Sequence, residues 1–128
     1  MQLDGITDLL TKYLDVQSRR AQVISGNIAN ADTPDYVAQE LEFSDYLRDA
    51  AREALTPRGM NGEARQTGVL AAPHIVEQTP NGVSIDGNTV DMGHEMTTLA
   101  ETGMQFLGGT KLLQSRLRTL RTAIREGR

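Results

Sequence analysis

The run MGHEMTTLAETGMQFLGGTKLLQSRLRTLRTAI, residues 92–124, decides the fold. Positions 92, 96, 99, 103, 106, 110, 113, 117, 120 and 124 follow one another by alternating steps of four and three. Eight of these ten are apolar: Met92, Met96, Leu99, Phe106, Leu113, Leu117, Leu120 and Ile124. Only Gly103 and Thr110 interrupt. A hydrophobic repeat of about 3.5 residues held this long is the seam of a coiled coil, narrower than the stripe of an ordinary globular helix. Asp91 is placed to cap the helix, and Gly108-Gly109 reads as a point of close backbone approach or a bend. Burying one such side chain contributes ~1.5–3 kcal/mol, whereas ordering each backbone residue costs ~1–2 kcal/mol. The stripe therefore needs a partner, either the first helix of the same chain or other copies.

Working outward, residues 4–29 read as that first helix. Leu3, Ile6, Leu10, Leu14, Ala21, Ile24 and Ile28 mark one face, broken at Gln17, with Asp4 or Thr7 as N-cap. The helix stops near Asn30, because Thr33 precedes a proline and is pushed out of the helical region. Residues 40–55 give a shorter helix ending at Thr56-Pro57-Arg58-Gly59. Residues 57–90 hold five Gly and three of the four Pro, and read as a linker over 57–72 followed by a hairpin. That hairpin would pair His74-Ile75-Val76-Glu77 with Val83-Ser84-Ile85 across Pro80-Asn81-Gly82. The expected fold is mainly α. Long terminal helices pack as an antiparallel coiled-coil-like pair, joined by a short middle helix and a small irregular or hairpin segment. The expected division is 1–30, 31–90 and 91–128 within one structural domain.

Composition narrows the function classes. The chain has 128 residues, no Cys, no Trp and 4% aromatics, which is thin material for an enzyme interior and excludes disulfides and thiolate chemistry. Its net charge of −4 argues against nucleic acid as the main ligand. Charge is divided along the chain: residues 32–53 carry seven acids against Arg48 and Arg52, and residues 111–128 carry six bases against Glu126. Such a chain can pair with itself or with copies of itself, although two solvated helix faces would look the same. No apolar run is long enough to span a membrane, and the first residues lack the pattern of a cleavable secretory signal.

Catalytic and metal constellations are missing from the pattern. His94-Glu95 begins like a zinc-protease motif, but Thr98 stands where the second His belongs. Asp86-Gly87-Asn88-Thr89-Val90-Asp91 lacks calcium-loop ligand spacing and reads as a turn leading into a capped helix. Gly108-Gly109 has no phosphate-loop context, and no Ser or Thr sits in a triad order. The expectation is no catalytic residue, cofactor or metal.

Ser25-Gly26-Asn27-Ile28-Ala29-Asn30-Ala31-Asp32-Thr33-Pro34-Asp35-Tyr36 resembles the N-terminal signature of the flagellar axial proteins, the rod and hook family. Its motif positions here are Asn27, Ala29, Asn30, Asp32, Thr33, Pro34 and Tyr36. Pro73-His74-Ile75 and Asp86 through Met92 resemble the stretch before the last helix in the most proximal, B-type, rod subunits. Asp35 stands where that family usually has Gly. The resemblance implies a structural rod subunit of the bacterial flagellar basal body that transmits torque through packed terminal helices. It also implies export through the flagellar type III apparatus without a cleaved signal, a location in the rod as it crosses the periplasm, and no membrane span of its own. The implied partners are copies of itself, other rod subunits, and the basal ring and export apparatus. The packing positions are then Ile6, Leu10, Leu14, Ile24, Ile28, Met96, Leu99, Phe106, Leu113, Leu117, Leu120 and Ile124. The competing expectation is a cytosolic coiled-coil adaptor that pairs through residues 92–124.

Overall fold

The computed structural model describes residues 5–55 and 71–127. The elements run α1 (Gly5–Ala29), β1 (Gln39–Glu42), α2 (Ser44–Leu55), β2 (His74–Glu77) and α3 (Met92–Glu126). The chain is mainly helical, and its two long terminal helices pack against each other as the apolar periodicity predicts. The linker expected over 57–72 falls, but for its last two residues, outside the described residues, as does the proposed cap Asp4.

α1 is the centre of the helical layer, with α2 on one flank and α3 on the other; α2 and α3 do not touch. Both neighbours run antiparallel to α1. A Cβ placed on Gly109 of α3 would meet Leu14 Cδ2 at 3.0 Å and the Tyr13 ring at 3.1 Å. Toward the other end of the pair, Glu95 and Thr98 share a cleft with Val23 and Ile24. On the α2 side, a Cβ on Gly5 would lie 3.0 Å from the Ala54 carbonyl oxygen. Lys12 pairs with Asp8 at 2.7 Å and with Glu53 of α2 at 3.6 Å. The hydrogen bond that Lys12 donates to Asp8, helped by the charges of Asp8 and Glu53, holds its ammonium above the ordinary pKa against a smaller desolvation effect.

The short sheet differs from the expected hairpin. β2 pairs antiparallel with β1, with Gln39 opposite Glu77 and Glu42 opposite His74. Residues 83–85 form no strand; they lie in a turn in which Gly87 N–H reaches Ser84 O and Ser84 N–H reaches Asn88 O. The start of the middle helix is corrected too, since residues 39–42 are strand rather than helix. Only Leu41 of this strand is buried, which is the alternation of a one-sided strand. Backbone pairing to β2 and a clamp from Asn27 on Gln39 outweigh helix propensity here. α2 then begins at Ser44, whose N–H and hydroxyl both donate to Glu42. The hydroxyl bond, followed by the backbone one, holds the Glu42 carboxyl below its usual range.

Thr7 is a further correction. It is the third residue of α1 and is buried, so it is not the N-cap. Asp91 does cap α3, accepting the His94 N–H at 3.1 Å.

Candidate assembly site

The two sequence runs that carry the family resemblance interlock at one end of the molecule. Asn27, fully buried near the end of α1, donates from Nδ2 to Gln39 O at 2.8 Å and accepts from Gln39 N–H at 2.9 Å. The Tyr36 hydroxyl donates to the same Asn27 Oδ1 at 3.3 Å. Asn30 ties off the helix end by donating to Gly26 O, and Thr33 donates to Asn30 Oδ1. Ala29 lies exposed on the helix, and Asp32, Thr33 and Pro34 form the exposed turn.

The second run closes over this turn. Asn88 Nδ2 lies within 2.9 Å of the carbonyls of Asn30, Ala31 and Thr33, while its Oδ1 accepts the Val90 N–H. Thr89 accepts Ala38 N–H on its hydroxyl and donates its own N–H to Tyr36 O. Asp35 N–H donates to Asp86 O. Asp35 adopts φ 59, the left-handed region that Asp tolerates better than most residues. Gly87, at φ 80, packs so near the Asp35 carboxylate that any Cβ would collide with it. The motif is thus a lock joining residues 27–39 to the entry of α3. Asn88 and Thr89 carry much of this lock, and the sequence alone gives them no role, because their partners are about fifty residues away.

The seam between α1 and α3 is more polar than the sequence repeat suggests. The fully buried residues of α3 are Glu95, Thr102 and Gly109, spaced by sevens. Those of α1 are Thr7, Val16, Gln17, Ile24 and Asn27. Gln17 therefore does not break the packed face but belongs to it. Leu99, Leu113 and Leu120 are half-buried, as are Leu10, Leu14 and Ile28 on α1. Ile6 is 40% exposed.

The remaining large apolar side chains of α3 are left uncovered by α1. Met92, Met96, Phe106, Leu107, Leu117 and Ile124 are exposed, with Met96 at 58% and Leu107 and Ile124 at 62% each. Projected at about 100° per residue, they form one stripe along a flank of the α1 seam. Gly103 falls in the same stripe. Met104 and Leu112 are exposed on other sides of the helix. A continuous apolar surface of this kind marks a face that other polypeptide covers.

Among the described residues there is no cluster of His and acids able to hold a metal, and no helix long and apolar enough to cross a membrane. What the chain does present is a locked helical pair with an uncovered apolar flank, the form of a structural subunit that is completed by its neighbours.

No protein-family model matches the sequence. Among curated proteins, it is 30% identical over 134 residues to the flagellar basal body rod protein FlgB of Salmonella typhimurium, spanning 98% of this chain and 97% of that one. It is 28% identical over 138 residues to FlgB of Yersinia ruckeri, spanning 98% of each. Against FlgB of Escherichia coli the identity is 29% over 134 residues. The chain belongs to the FlgB family of flagellar basal body rod proteins. It is a structural subunit of that rod, and nearly full-length similarity to rod proteins disfavours the adaptor reading.

Proposed function

We propose that this subunit sits in the proximal part of the rod, where it is packed through its terminal helices and passes torque from motor to hook. Residues 1–30 and 91–128 act as the rod-core helices. Residues 31–90 connect and lock them, and the whole forms one structural domain. The subunit reaches the rod through the flagellar type III export apparatus without a cleaved signal and assembles as the rod crosses the periplasm. Copies of itself, other rod subunits and the basal ring cover its apolar flank. It has no catalytic activity of its own.

The observation that carries this reading is the uncovered stripe from Met92 to Ile124 on a helix whose adjoining face already packs on α1. Covering a half-exposed Leu, Met or Ile contributes roughly 1 kcal/mol. Association costs about 4–15 kcal/mol, so a handful of such residues on one neighbour is barely enough. Several neighbours are needed, as in a rod wall. Met96, Leu117 and Ile124 are the residues whose contacts count most here.

Leu117→Asp tests it in cells lacking the native gene. The side chain is already 45% exposed, so the purified variant should melt within a few degrees of the native chain. Basal bodies should nevertheless lack a rod and the cells should not swim. Normal swimming by this strain would refute the reading.

A further inference from the structure

At the sheet end of the molecule, on the flank of α3 opposite the apolar stripe, lies a cleft of about 170 Å³. Arg20 and Ile24 of α1, Glu40 of β1, and Glu95, Thr98 and Glu101 of α3 line it. Glu95 is 1% exposed, and its Oε1 has no hydrogen-bond partner. Leaving a buried carboxylate oxygen without a donor is costly. The neighbouring cation does not relieve it, because the Arg20 guanidinium lies over the Phe43 ring, 5.7 Å from its centroid, and makes no ion pair with any of the three carboxylates. The space suits the head of one long side chain with a few waters.

The matching charge is at the other end of the chain. Lys111, Arg118, Arg121 and Arg125 are exposed and form no ion pair among the described residues. At about 100° per residue they fall on one side of α3. Residues 121–127 are all exposed. At 1.5 Å per residue, Arg121 stands roughly 39 Å from Glu95 along the same helix, so a chain cannot fill its own cleft.

We propose that the cleft receives the arginine stripe of a second copy of this chain, with the Arg121 guanidinium seated between Glu95 and Glu101. A guanidinium offers the planar fork of donors that a pair of carboxylates accepts. The contact is head-to-tail, joining two different surfaces, and such a contact propagates into a ring or a helical array rather than closing as a two-fold dimer. Arg121 lies between Leu117 and Ile124 at the C-terminal end of the apolar stripe, so the contact adjoins the surface of the rod-packing reading while using none of its apolar side chains.

The absence of cysteine from the chain makes paired substitutions a direct probe. Two tagged full-length forms, Glu101→Cys and Arg121→Cys, are expressed together beside the native copy so that rods assemble, and isolated basal bodies are oxidised. Disulfide geometry demands close approach, so heterodimer should exceed by roughly tenfold that from Glu101→Cys with Ser18→Cys, an exposed control site on α1. Adding Glu95→Gln to the first form, which keeps the shape and removes the charge, should cut the yield several-fold. A yield no higher than the control, or a cross-link from position 101 to a different protein instead, overturns the proposal. So does a yield that Glu95→Gln leaves unchanged. Since the cells still swim, any of these failures leaves the rod assignment standing.

Discussion

Asn88 shares its two amide hydrogens among three backbone carbonyls; truncating it strands the Ala31 carbonyl and the Val90 N–H, while the Asn30 and Thr33 carbonyls keep a backbone donor each. Each stranded buried group costs ~1–3 kcal/mol, partly relieved by solvent at the exposed turn, so Asn88→Ala should destabilise the fold by about 2–4 kcal/mol. For a domain of this size that lowers Tm by roughly 10 °C or more. Asn88→Asp should do at least as much harm, because it turns a carboxylate toward three carbonyl oxygens. Thr89→Val, which removes a single acceptor from Ala38 N–H, should cost only about 1 kcal/mol. Thermal melts of the three variants check the ranking, and an Asn88→Ala that melts like the native chain would contradict it. At this scale the sequence was only half legible. The Asn-rich run stood out, and Asn30 does satisfy a helix-end carbonyl as its type suggests. What Asn27 and Asn88 bind lies in segments far along the chain, and no local pattern names those partners.

At the level of elements, α3 was legible from its repeat and its aspartate cap, while the side it turns inward was not. The apolar repeat runs through 99, 106, 113 and 120 together with 96, 103, 110, 117 and 124. The buried set is Glu95, Thr102 and Gly109, none of them in the repeat, while Leu99, Leu113 and Leu120 are half-buried and Phe106 is exposed. Glu, Thr and Gly at a seven-residue spacing look like a solvent face, and only their regularity hinted at a seam. The strand pairing was misjudged for a related reason. His74–Glu77 has a nearer candidate at 83–85, yet it joins Gln39–Glu42 because Asn27 holds that strand in place. The two adjacent glycines of α3 separate these effects. Gly108 faces open space, so Gly108→Ala should raise stability by about 0.8–1 kcal/mol through helix propensity. Gly109 has Leu14 and the Tyr13 ring at the limit of contact. There the same change should cost a net ~1–2 kcal/mol, because overpacking outweighs propensity. Urea denaturation of both variants measures the difference, and a gain at both positions would mean that α1 and α3 are less tightly apposed than described.

Among the described residues there are five buried apolar side chains, Val16, Ile24, Ala38, Leu41 and Ala50, against six buried polar ones. A helical pair held by so small a core gains much of its packing from outside, which is how composition and function connect in a rod subunit. The family could be read from two short runs, and the three-dimensional lock between them gives those runs a structural reason. The surface offered to neighbours was legible as a stripe, but which part of it α1 already covers emerges only from the packed helices. Accessibility of that stripe is the most direct test. Leu107→Cys introduces a lone thiol at a position 62% exposed in the single subunit. Maleimide should label it rapidly in the purified chain and at least roughly tenfold more slowly in isolated basal bodies, because subunit packing excludes the reagent. Equal labelling in both would contradict the claim that neighbouring subunits cover α3.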